Sequence, residues 1–369
     1  MRLADLRIAD YRNLGLVHLI PSPRFNVLEG KNGQGKTNLL EAIWLLSALK
    51  PFRTSKNVDL VRFGATLAEV RAVLDSGDGE RTLRVQVSRE ARRIWVDGKV
   101  AKTHGEALGQ VAMVVFTPED LAITKGSPSG RRRFLDRAVF TLWPASLDDF
   151  RRFQHALDER NALLKAPGVP DDLLLDVYDD QVATAGALVG HWRRRYLERF
   201  APVFAAALAE ITTGGLEGTL TLQPSIAEPS RDALHQALVT ARPRDRARQS
   251  TTRGPQHDEL DASLDGRPLR TFGSQGQHRA FVLAMKIAEI RLLARELGRD
   301  PVLLLDDVSS ELDDERNAAL MRTLVGEGFG GQVFLSTTDR RHVLPHLPLG
   351  VFDSGQAACF TIRDGAVTL

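Results

Sequence analysis

One stretch near the start of the chain restricts the fold more than any other feature. In FNVLEGKNGQGKTNLLEAIWLL, from Phe25 to Leu46, a glycine-rich turn joins a strand-like run to a helix-like run. The turn has the G-x-x-x-x-G-K-[ST] spacing of a P-loop, and the required strand and helix flank it. Its residues, the predicted nucleotide contacts, are Gly30, Lys31, Asn32, Gly33, Gln34, Gly35, Lys36 and Thr37.

The chemistry of this turn suits a phosphate. Glycines allow consecutive backbone N–H groups to point inward, and the helix N-terminus adds partial positive charge where the phosphate lies. Lys36 is expected to contact the terminal phosphates and to act in catalysis, while the Thr37 hydroxyl coordinates Mg²⁺. The alternative is a glycine turn that only caps a helix.

The acidic partner of such a loop lies near the other end of the chain, in VLLLDDVSSELDD from Val302 to Asp314. Asp306 ends an apolar run, where a carboxylate is costly unless it holds a metal or a hydrogen bond. We expect Asp306 to bind Mg²⁺ through water and Asp307 to orient or deprotonate the attacking water. The simpler interpretation is a helix N-cap.

A third motif, FGSQGQHRAF, places Ser274, Gln275 and Gly276 at the start of a long predicted helix. A serine with exposed N–H groups at a helix N-terminus makes an anion site. Because the P-loop already holds the nucleotide of its own chain, this second site is expected to contact the γ-phosphate held by a partner copy, which predicts an ATP-dependent homodimer. The alternative is an N-capped helix without a ligand.

The order of elements predicts an α/β fold with a helical insertion. Alternating strand patterns and hairpin turns fill residues 1–120, whereas apolar residues recur at helical spacing from about 131 to 211. A small strand and a polar loop, ARPRDRARQSTTRGPQHDE, follow, and strands then alternate with helices. We therefore assign 1–120 with 250–369 to one lobe, and 121–249 to an inserted, mainly helical lobe.

Composition excludes several classes of protein. No apolar run is long enough to span a membrane, and the first residues lack the apolar block of a signal peptide. Cys359 has no second cysteine to pair with, which fits a reducing cytoplasm. The net charge is only +2 despite 49 Lys and Arg residues, so any binding of DNA must use local basic patches.

Several basic clusters are candidates for such patches, and each has an alternative interpretation as a solvated helix face or as packing of arginine stems on aromatic rings. No base-reading motif is present, so binding should be to backbone phosphates, independent of sequence and strongly dependent on salt. The clusters are Arg131–Arg132–Arg133, Arg151–Arg152, Arg193–Arg194–Arg195, Arg242 with Arg244, Arg246 and Arg248, and Lys50 with Arg53 and Lys56.

With these motifs in view, the sequence resembles the ABC-type ATPases of DNA repair and chromosome maintenance, specifically the RecF family. The resemblance spans nearly the whole chain, and no heptad array of a long coiled coil is present. The matching segments are YRNL from Tyr11 to Leu14, the P-loop, FTPEDLAITKGSPSGRRRFLD from Phe116 to Asp136, GPQHDEL from Gly254 to Leu260, SQGQHR from Ser274 to Arg279 and LLLDDVSSELD from Leu303 to Asp313.

The resemblance implies an ABC-type P-loop ATPase head formed by both chain ends, and it assigns further roles. Ser309, Ser310 and Asp313 match the D-loop, which crosses the dimer interface in this superfamily. Arg12 would contact the nucleotide. Thr337 and Thr338 occupy the place of the transporter switch histidine, and no clear Q-loop glutamine follows AMVVF, where Thr117, Glu119 and Asp120 stand instead. Asp307 replaces the usual glutamate, so turnover is expected to be slow.

The function implied by the resemblance is ATP-dependent DNA binding in recombinational repair, linked to DNA replication and the SOS response. ATP and Mg²⁺ would drive dimerisation on duplex DNA next to single-stranded gaps, and weak DNA-stimulated hydrolysis would release it. Partners would be mediator proteins of the RecR and RecO type and, indirectly, the RecA recombinase, in the cytoplasm or on the nucleoid. The alternatives are the ATPase subunit of a membrane transporter, a decayed ATPase acting as an interaction module, and a P-loop kinase.

Overall fold

The structure is a computed structural model, and it describes residues 1–48, 51, 56–77, 79–168, 171–307, 314–326 and 329–369. The chain divides into two compact units: residues 1–120 with 279–369, and residues 121–278. Within the described ranges, no helix is both long and apolar enough to cross a membrane.

Strands β1 to β15 are numbered in chain order. Their bounds are Arg2–Tyr11, Leu14–Leu19, Phe25–Glu29, Leu67–Asp75, Glu80–Ser88, Arg92–Val96, Lys99–Val100, Met113–Phe116, Gly218–Gln223, Glu259–Leu264, Arg267–Pro268, Val302–Leu305, Val333–Thr337, Ala357–Arg363 and Ala366–Thr368.

Helices α1 to α10 are numbered in the same way. Their bounds are Lys36–Ala48, His104–Leu108, Ala122–Lys125, Pro128–Leu142, Ser146–Lys165, Asp172–Ile211, Arg231–Arg248, Leu269–Phe272, Gln275–Leu297 and Asp314–Val325.

A largely parallel sheet forms the centre of the first unit, in the order β15-β14-β3-β13-β12-β8. Only β15 is antiparallel to its neighbour. Strands β8 and β12 are buried at every position, as their continuous apolar sequences MVVF and VLLL predict. Because parallel strands end at the same edge, the carboxyl ends of β3, β13, β12 and β8 meet there, which is where α/β sheets bind ligands.

The second sheet of this unit is antiparallel, in the order β2-β1-β4-β5-β6-β7. The predicted hairpins are confirmed: β4 pairs with β5 from Asp75 opposite Glu80 to Leu67 opposite Ser88, and β6 pairs with β7. Strands β4 and β5 alternate buried and more accessible positions, as expected of a sheet with one face in the core. Helix α1 is buried along most of its length, including Leu39, Ile43 and Leu46.

The second unit is mainly helical, as the periodicity from 131 to 211 predicts. Its longest helix, α6, begins at a capping residue, Asp171, whose carboxylate accepts a hydrogen bond from the backbone N of Leu173. Aromatic side chains form its core, with Tyr196 stacked on Phe200 and Phe200 on Phe204. A small antiparallel sheet, β11-β10-β9, completes the unit.

Two sequence predictions about this region are wrong. The segment predicted as a polar loop begins in a helix, because α7 continues to Arg248 through Pro243. In this part of α7, Arg242 pairs with Asp176 and with the buried Asp179 of α6, and Arg246 pairs with Asp172, so polar side chains of this segment are held by contacts with another helix.

The second domain boundary also differs, since it falls after 278 and not after 249. Strand β10 pairs along its whole length with β9, so residues 259–264 belong to the sheet of the second unit. The segment ASLDGRPLR forms a hairpin of β10 and β11, with Ser263 opposite Pro268.

Candidate functional site

The glycine-rich turn lies between β3 and α1, as predicted. Lys36 is 6% exposed, and its Nζ donates to the carbonyl oxygens of Gly30 at 2.6 Å and Lys31 at 3.1 Å. Burial lowers the pKa of Lys36 from the usual lysine value, and the nearby carboxylates of Asp307 and Asp306 oppose this shift. The ammonium group is therefore held inside the turn, where a phosphate would exchange for the carbonyl partners.

Three residues outside the turn, Asn13, Asn38 and Gly365, help to hold it in shape, and the sequence analysis selected none of them as a site residue. The Asn13 amide donates to the carbonyl of Gln34 at 3.2 Å and accepts from the Asn38 amide at 2.7 Å. The backbone of the β14–β15 turn donates to Gln34 as well, from Gly365 N to the carbonyl at 3.0 Å. A side chain at Gly35, where φ is +114°, would put its Cβ 2.9 Å from the Asn13 oxygen, so this position requires glycine.

The acidic strand end lies directly beside the turn. The Thr37 hydroxyl donates to Asp306 Oδ1 at 2.9 Å, although the two residues are far apart in sequence. Asp306 is buried, and the Ser336 hydroxyl donates to the same oxygen at 2.9 Å. A threonine hydroxyl beside a carboxylate is an oxygen donor set that suits Mg²⁺, so these residues fit the predicted metal.

Asp307 has a left-handed backbone, with φ of +49°. Its N–H donates to Ser336 Oγ at 2.9 Å, so one serine contacts both members of the acidic pair. Ser336 is fully buried on β13. Sequence analysis did not select it, although a polar residue at the end of the apolar strand VFLST was an available signal.

Arg12, which the sequence analysis predicted as a nucleotide contact, lies in the β1–β2 turn. The structure pairs it with the fully buried Glu41 of α1 through two hydrogen bonds, one of them 3.1 Å from Nη2 to Oε1. Burial alone would lower the pKa of Arg12, but the hydrogen bonds and charge of Glu41 outweigh it and raise that pKa. Its role as a nucleotide contact stays a prediction.

The positions predicted to replace the Q-loop glutamine follow β8. The carboxylate of Asp120 accepts from the Thr117 backbone N at 2.8 Å and pairs with the buried ammonium of Lys286 at 3.1 Å. Glu119 is exposed. The Asp120 side chain is thus engaged in the interior, and Glu119 is the carboxylate of this segment that faces solvent.

The positions predicted to replace the switch histidine differ from each other. The Thr337 hydroxyl is buried, donates to the Asp339 carbonyl at 2.9 Å and accepts from the Asp339 N at 3.2 Å. Thr338 is exposed. A hydroxyl is therefore presented to solvent by Thr338, whereas that of Thr337 shapes the turn that follows β13.

The signature-like motif belongs to the second unit. Ser274 precedes α9, its hydroxyl accepts from Gln277 N at 3.2 Å, and Gln277 Oε1 accepts from Ser274 N at 2.8 Å. This reciprocal pair is a capping box that begins the helix. Ser274 and Gln275 are exposed, and their contact with a nucleotide stays a prediction. Ser309, Ser310 and Asp313, predicted as the D-loop, lie outside the described residues.

Two members of the predicted basic patches are buried and hold the second unit together. Arg193 is almost fully buried between Asp136 at 2.8 Å and Asp258 at 3.0 Å, and Arg131 is buried against Glu259 at 2.6 Å. These side chains are structural, and they do not form a surface for DNA.

Other members of the clusters differ in exposure. Arg195 lies over the Trp143 ring, with 4.7 Å from its guanidinium carbon to the ring centroid. Arg133, by contrast, is exposed. Lys56 is also exposed, while Lys50 and Arg53 lie outside the described residues.

Comparison with known proteins agrees with this architecture. The sequence profile described as the RecF/RecN/SMC N-terminal domain matches residues 2–346. The SMC head domain of Pyrococcus furiosus, solved with an extended coiled coil, is similar in fold, with a TM-score of 0.56 at 16% identity, over 99% of this chain and 95% of that one. The fold and the site therefore define an ABC-type ATPase head of the SMC and RecF class.

Closer relatives define the family. The DNA replication and repair protein RecF of Anaeromyxobacter sp. strain Fw109-5 is 44% identical over 94% of each chain, and that of Myxococcus xanthus is 42% identical over 92% of this chain and 91% of its own. A solved structure of the recombination mediator RecF with ATP superposes with a TM-score of 0.88 at 33% identity, over 99% of this chain and 96% of that one. This chain belongs to the RecF family.

Proposed function

We propose that this chain is an ATP-dependent DNA-binding protein of recombinational repair. The observation that carries the proposal is the contact between Thr37 and Asp306 beneath the glycine-rich turn, because it joins the phosphate cradle to an acidic strand end. Support comes from the names of the relatives, DNA replication and repair proteins, and from a structural neighbour described as a recombination mediator bound to ATP. Family membership favours this class over a transporter subunit or a P-loop kinase.

In the proposed mechanism, the triphosphate lies along the N–H groups of the turn from Gly30 to Thr37. Lys36 exchanges its two carbonyl partners for phosphate oxygens. Mg²⁺, when bound, neutralises charge on the phosphates, and the Thr37 hydroxyl and Asp306 would hold it, the latter through water.

Asp307 acts as the base for hydrolysis. A water oxygen bonds to the γ-phosphorus, the bond from that phosphorus to the β–γ bridging oxygen breaks, and Asp307 takes the proton of the water. The products are ADP and inorganic phosphate. Aspartate is one methylene shorter than the usual glutamate and reaches less well toward the water, so slow turnover is expected, as in a timed switch.

The dimer supplies the second half of each reaction centre. The exposed Ser274 and the N–H groups at the start of α9 would contact the γ-phosphate held by the P-loop of the partner. Asp313 would contribute to the same interface. ATP binding would then close two heads on DNA, and hydrolysis would open them.

The proposed target is duplex DNA beside a single-stranded gap, with phosphates as the main contacts. Docking of mediator proteins of the RecR and RecO type would then assist loading of the RecA recombinase in the cytoplasm. DNA should stimulate the weak ATPase activity, and affinity should fall steeply as salt rises.

The test is sedimentation, with and without ATP, of wild type and of Ser274→Arg and Lys36→Arg. A matched control is Gln154→Arg, which adds the same charge at an exposed site of α5. Ser274→Arg should bind ATP with unchanged affinity and remain a monomer, while Gln154→Arg should dimerise like wild type. Lys36→Arg should fail to dimerise because its ATP contacts are altered.

The same proteins are then tested for binding to gapped duplex DNA. ATP should raise the affinity of wild type and Gln154→Arg for this DNA, whereas it should leave the DNA affinity of Ser274→Arg unchanged. Normal ATP-driven dimerisation of Ser274→Arg would contradict the shared site. Hydrolysis by a wild-type protein that remains monomeric at high concentration would contradict the whole proposal.

A further inference from the structure

The hydroxyl of Ser336 connects the two consecutive carboxylate residues of the candidate site. It donates one hydrogen bond to Asp306 Oδ1 and accepts one from Asp307 N, each at 2.9 Å. Its side chain is fully buried, so water cannot replace either contact. Ser336 therefore contacts both residues that are predicted to act in Mg²⁺ binding and hydrolysis, Asp306 and Asp307.

The strand register explains why Ser336 reaches this position. Strands β12 and β13 are parallel, with Leu305 opposite Leu335, so each strand's next residue lies one step further along the same edge. Asp306 ends the apolar run on β12, and Ser336 follows Leu335 on β13. The sheet consequently fixes the serine hydroxyl beside the acidic pair without help from a mobile loop.

The backbone of Asp307 requires such support. A non-glycine residue in the left-handed region costs on the order of 1–2 kcal/mol and persists where the surroundings hold it. The φ of Asp307 is +49°, and its N–H is bonded to Ser336. Because backbone conformation sets the direction of the Cα–Cβ bond, this hydrogen bond helps decide where the Asp307 carboxylate points.

The shared oxygen of Asp306 adds a second constraint. Asp306 Oδ1 accepts from Thr37 and from Ser336, at 2.9 Å in both cases. Two donors on one carboxylate oxygen fix the rotation of that carboxylate, and outer contacts of this kind orient groups that bind metals. Ser336 thus acts on Asp306 through its side chain and on Asp307 through its backbone.

We propose that Ser336 is a positioning residue for ATP hydrolysis, which orients Asp306 and Asp307 together while contacting neither nucleotide nor water itself. The proposal rests on the proposed ATPase function, in which Asp307 is the base. Loss of the hydroxyl should therefore slow the chemical step and leave the binding of ATP nearly unchanged, because the glycine-rich turn keeps its own contacts.

The experiment compares Ser336→Ala, Ser336→Thr and wild type by single-turnover hydrolysis, steady-state kcat and KM, and equilibrium binding of a fluorescent ATP analogue. Ser336→Ala should lower kcat about 10–100-fold, the usual effect of losing an outer contact of this kind. KM and the Kd of the analogue should stay within about twofold. Ser336→Thr keeps the hydroxyl and should restore most of kcat.

Ser146→Ala is the matched control, since Ser146 is equally buried and donates to the carbonyl of Trp143 at 2.7 Å in the other unit. It should alter the melting temperature without altering kcat. Ser336→Cys preserves side-chain volume but weakens the hydrogen bonds, so it should lower kcat even if Ser336→Ala does not fold. The proposal would be overturned if Ser336→Ala lowered kcat no more than Ser146→Ala does. It would also be overturned if Ser336→Thr and Ser336→Ala lowered kcat equally.

Asp307→Asn separates this inference from the function on which it rests. If Asp307→Asn hydrolyses ATP like wild type, the role of Asp307 as base fails and the role of Ser336 fails with it. If Asp307→Asn is inactive while Ser336→Ala and Ser336→Cys are fully active, only the Ser336 inference fails. Because Ser336 orients Asp306 as well as Asp307, Ser336→Ala should slow Asp307→Asn by a smaller factor than it slows wild type, and an equal factor in both backgrounds would show that Ser336 does not act through Asp307.

Discussion

Replacing Arg160 by methionine should destabilise the second unit more than any ordinary surface change. Arg160 is fully buried on α5, and so are its two acidic partners. Its Nε donates to Asp179 at 2.5 Å, and its Nη1 donates to Asp245 at 2.8 Å and to the Thr251 hydroxyl at 2.8 Å. The arginine thus connects α5, α6, α7 and the segment after α7.

The magnitude follows from the charges that remain. Arg242 also pairs with Asp179, at 2.7 Å, and its other partner, Asp176, is exposed. The charges around the buried centre of the cluster are therefore those of Arg160 and Arg242 against those of Asp179 and Asp245. Removing Arg160 leaves one negative charge uncompensated in the interior, which costs about 3–5 kcal/mol. For a domain of this size, that corresponds to a fall of roughly 6–20 °C in melting temperature.

The assay is calorimetric and urea unfolding of Arg160→Met beside Arg152→Met. Arg152 lies on the same helix but is 73% exposed, and its contact with Asp149 is 3.6 Å long, so its loss should cost about 0–1 kcal/mol. Adding Asp245→Asn to Arg160→Met should recover part of the loss, because it removes the excess buried charge. If Arg160→Met costs no more than Arg152→Met, the buried cluster does not stabilise the unit and the reasoning is wrong.

Three further predictions concern single side chains. Gly365→Ala would put a Cβ 2.1 Å from the Asn13 carbonyl at a φ of +78°, so urea unfolding should show a loss of at least about 1–3 kcal/mol and nucleotide titration a weaker affinity. Burial alone would raise the pKa of Glu259, but the hydrogen bond and charge of Arg131 outweigh it and hold this pKa below 4.5. Glu259→Gln should therefore remove about 1 kcal/mol of stability at every pH above about 5, and this difference should vanish as pH falls through the native pKa. Unfolding measured across the acid range checks this prediction. Thr37→Ala should raise the Mg²⁺ concentration needed for half-maximal ATP hydrolysis about tenfold or more, measured by metal titration.

Each of these has a result that would contradict it. Unchanged stability of Gly365→Ala would mean that the β14–β15 turn can move away from Asn13. A loss from Glu259→Gln that persists at low pH would assign the effect to packing and not to charge. An unchanged Mg²⁺ requirement in Thr37→Ala would remove the hydroxyl from the metal site.

The local elements were predictable because the sequence pattern reports them directly. A P-loop needs a strand, a glycine turn and a helix in one continuous stretch, and the structure contains all three between Phe25 and Ala48. The buried strands β8 and β12 were equally clear, since a strand covered on both faces is apolar at every position.

The arginines were less predictable, because the sequence gives their charge but not their neighbours. Arg193 and Arg131 looked like candidates for DNA contact, yet carboxylates distant in sequence, Asp258 and Glu259, hold them in the interior. The prediction of a loop before Gln249 was wrong for a similar reason, since the arginines of this segment lie on a helix and pair with carboxylates of α6.

By itself, the sequence determined the α/β class, the glycine-rich turn between a strand and a helix, the acidic pair at 306 and 307 and the capped helix that starts after Ser274. Each depends on residues close together in the chain, where periodicity and spacing are sufficient. Only the tertiary structure decided that Ser336 joins Asp306 to Asp307, that Asn13 and Gly365 hold Gln34, and which arginines are buried. Those contacts depend on strand order and on charges brought together from distant segments, and no local pattern records either.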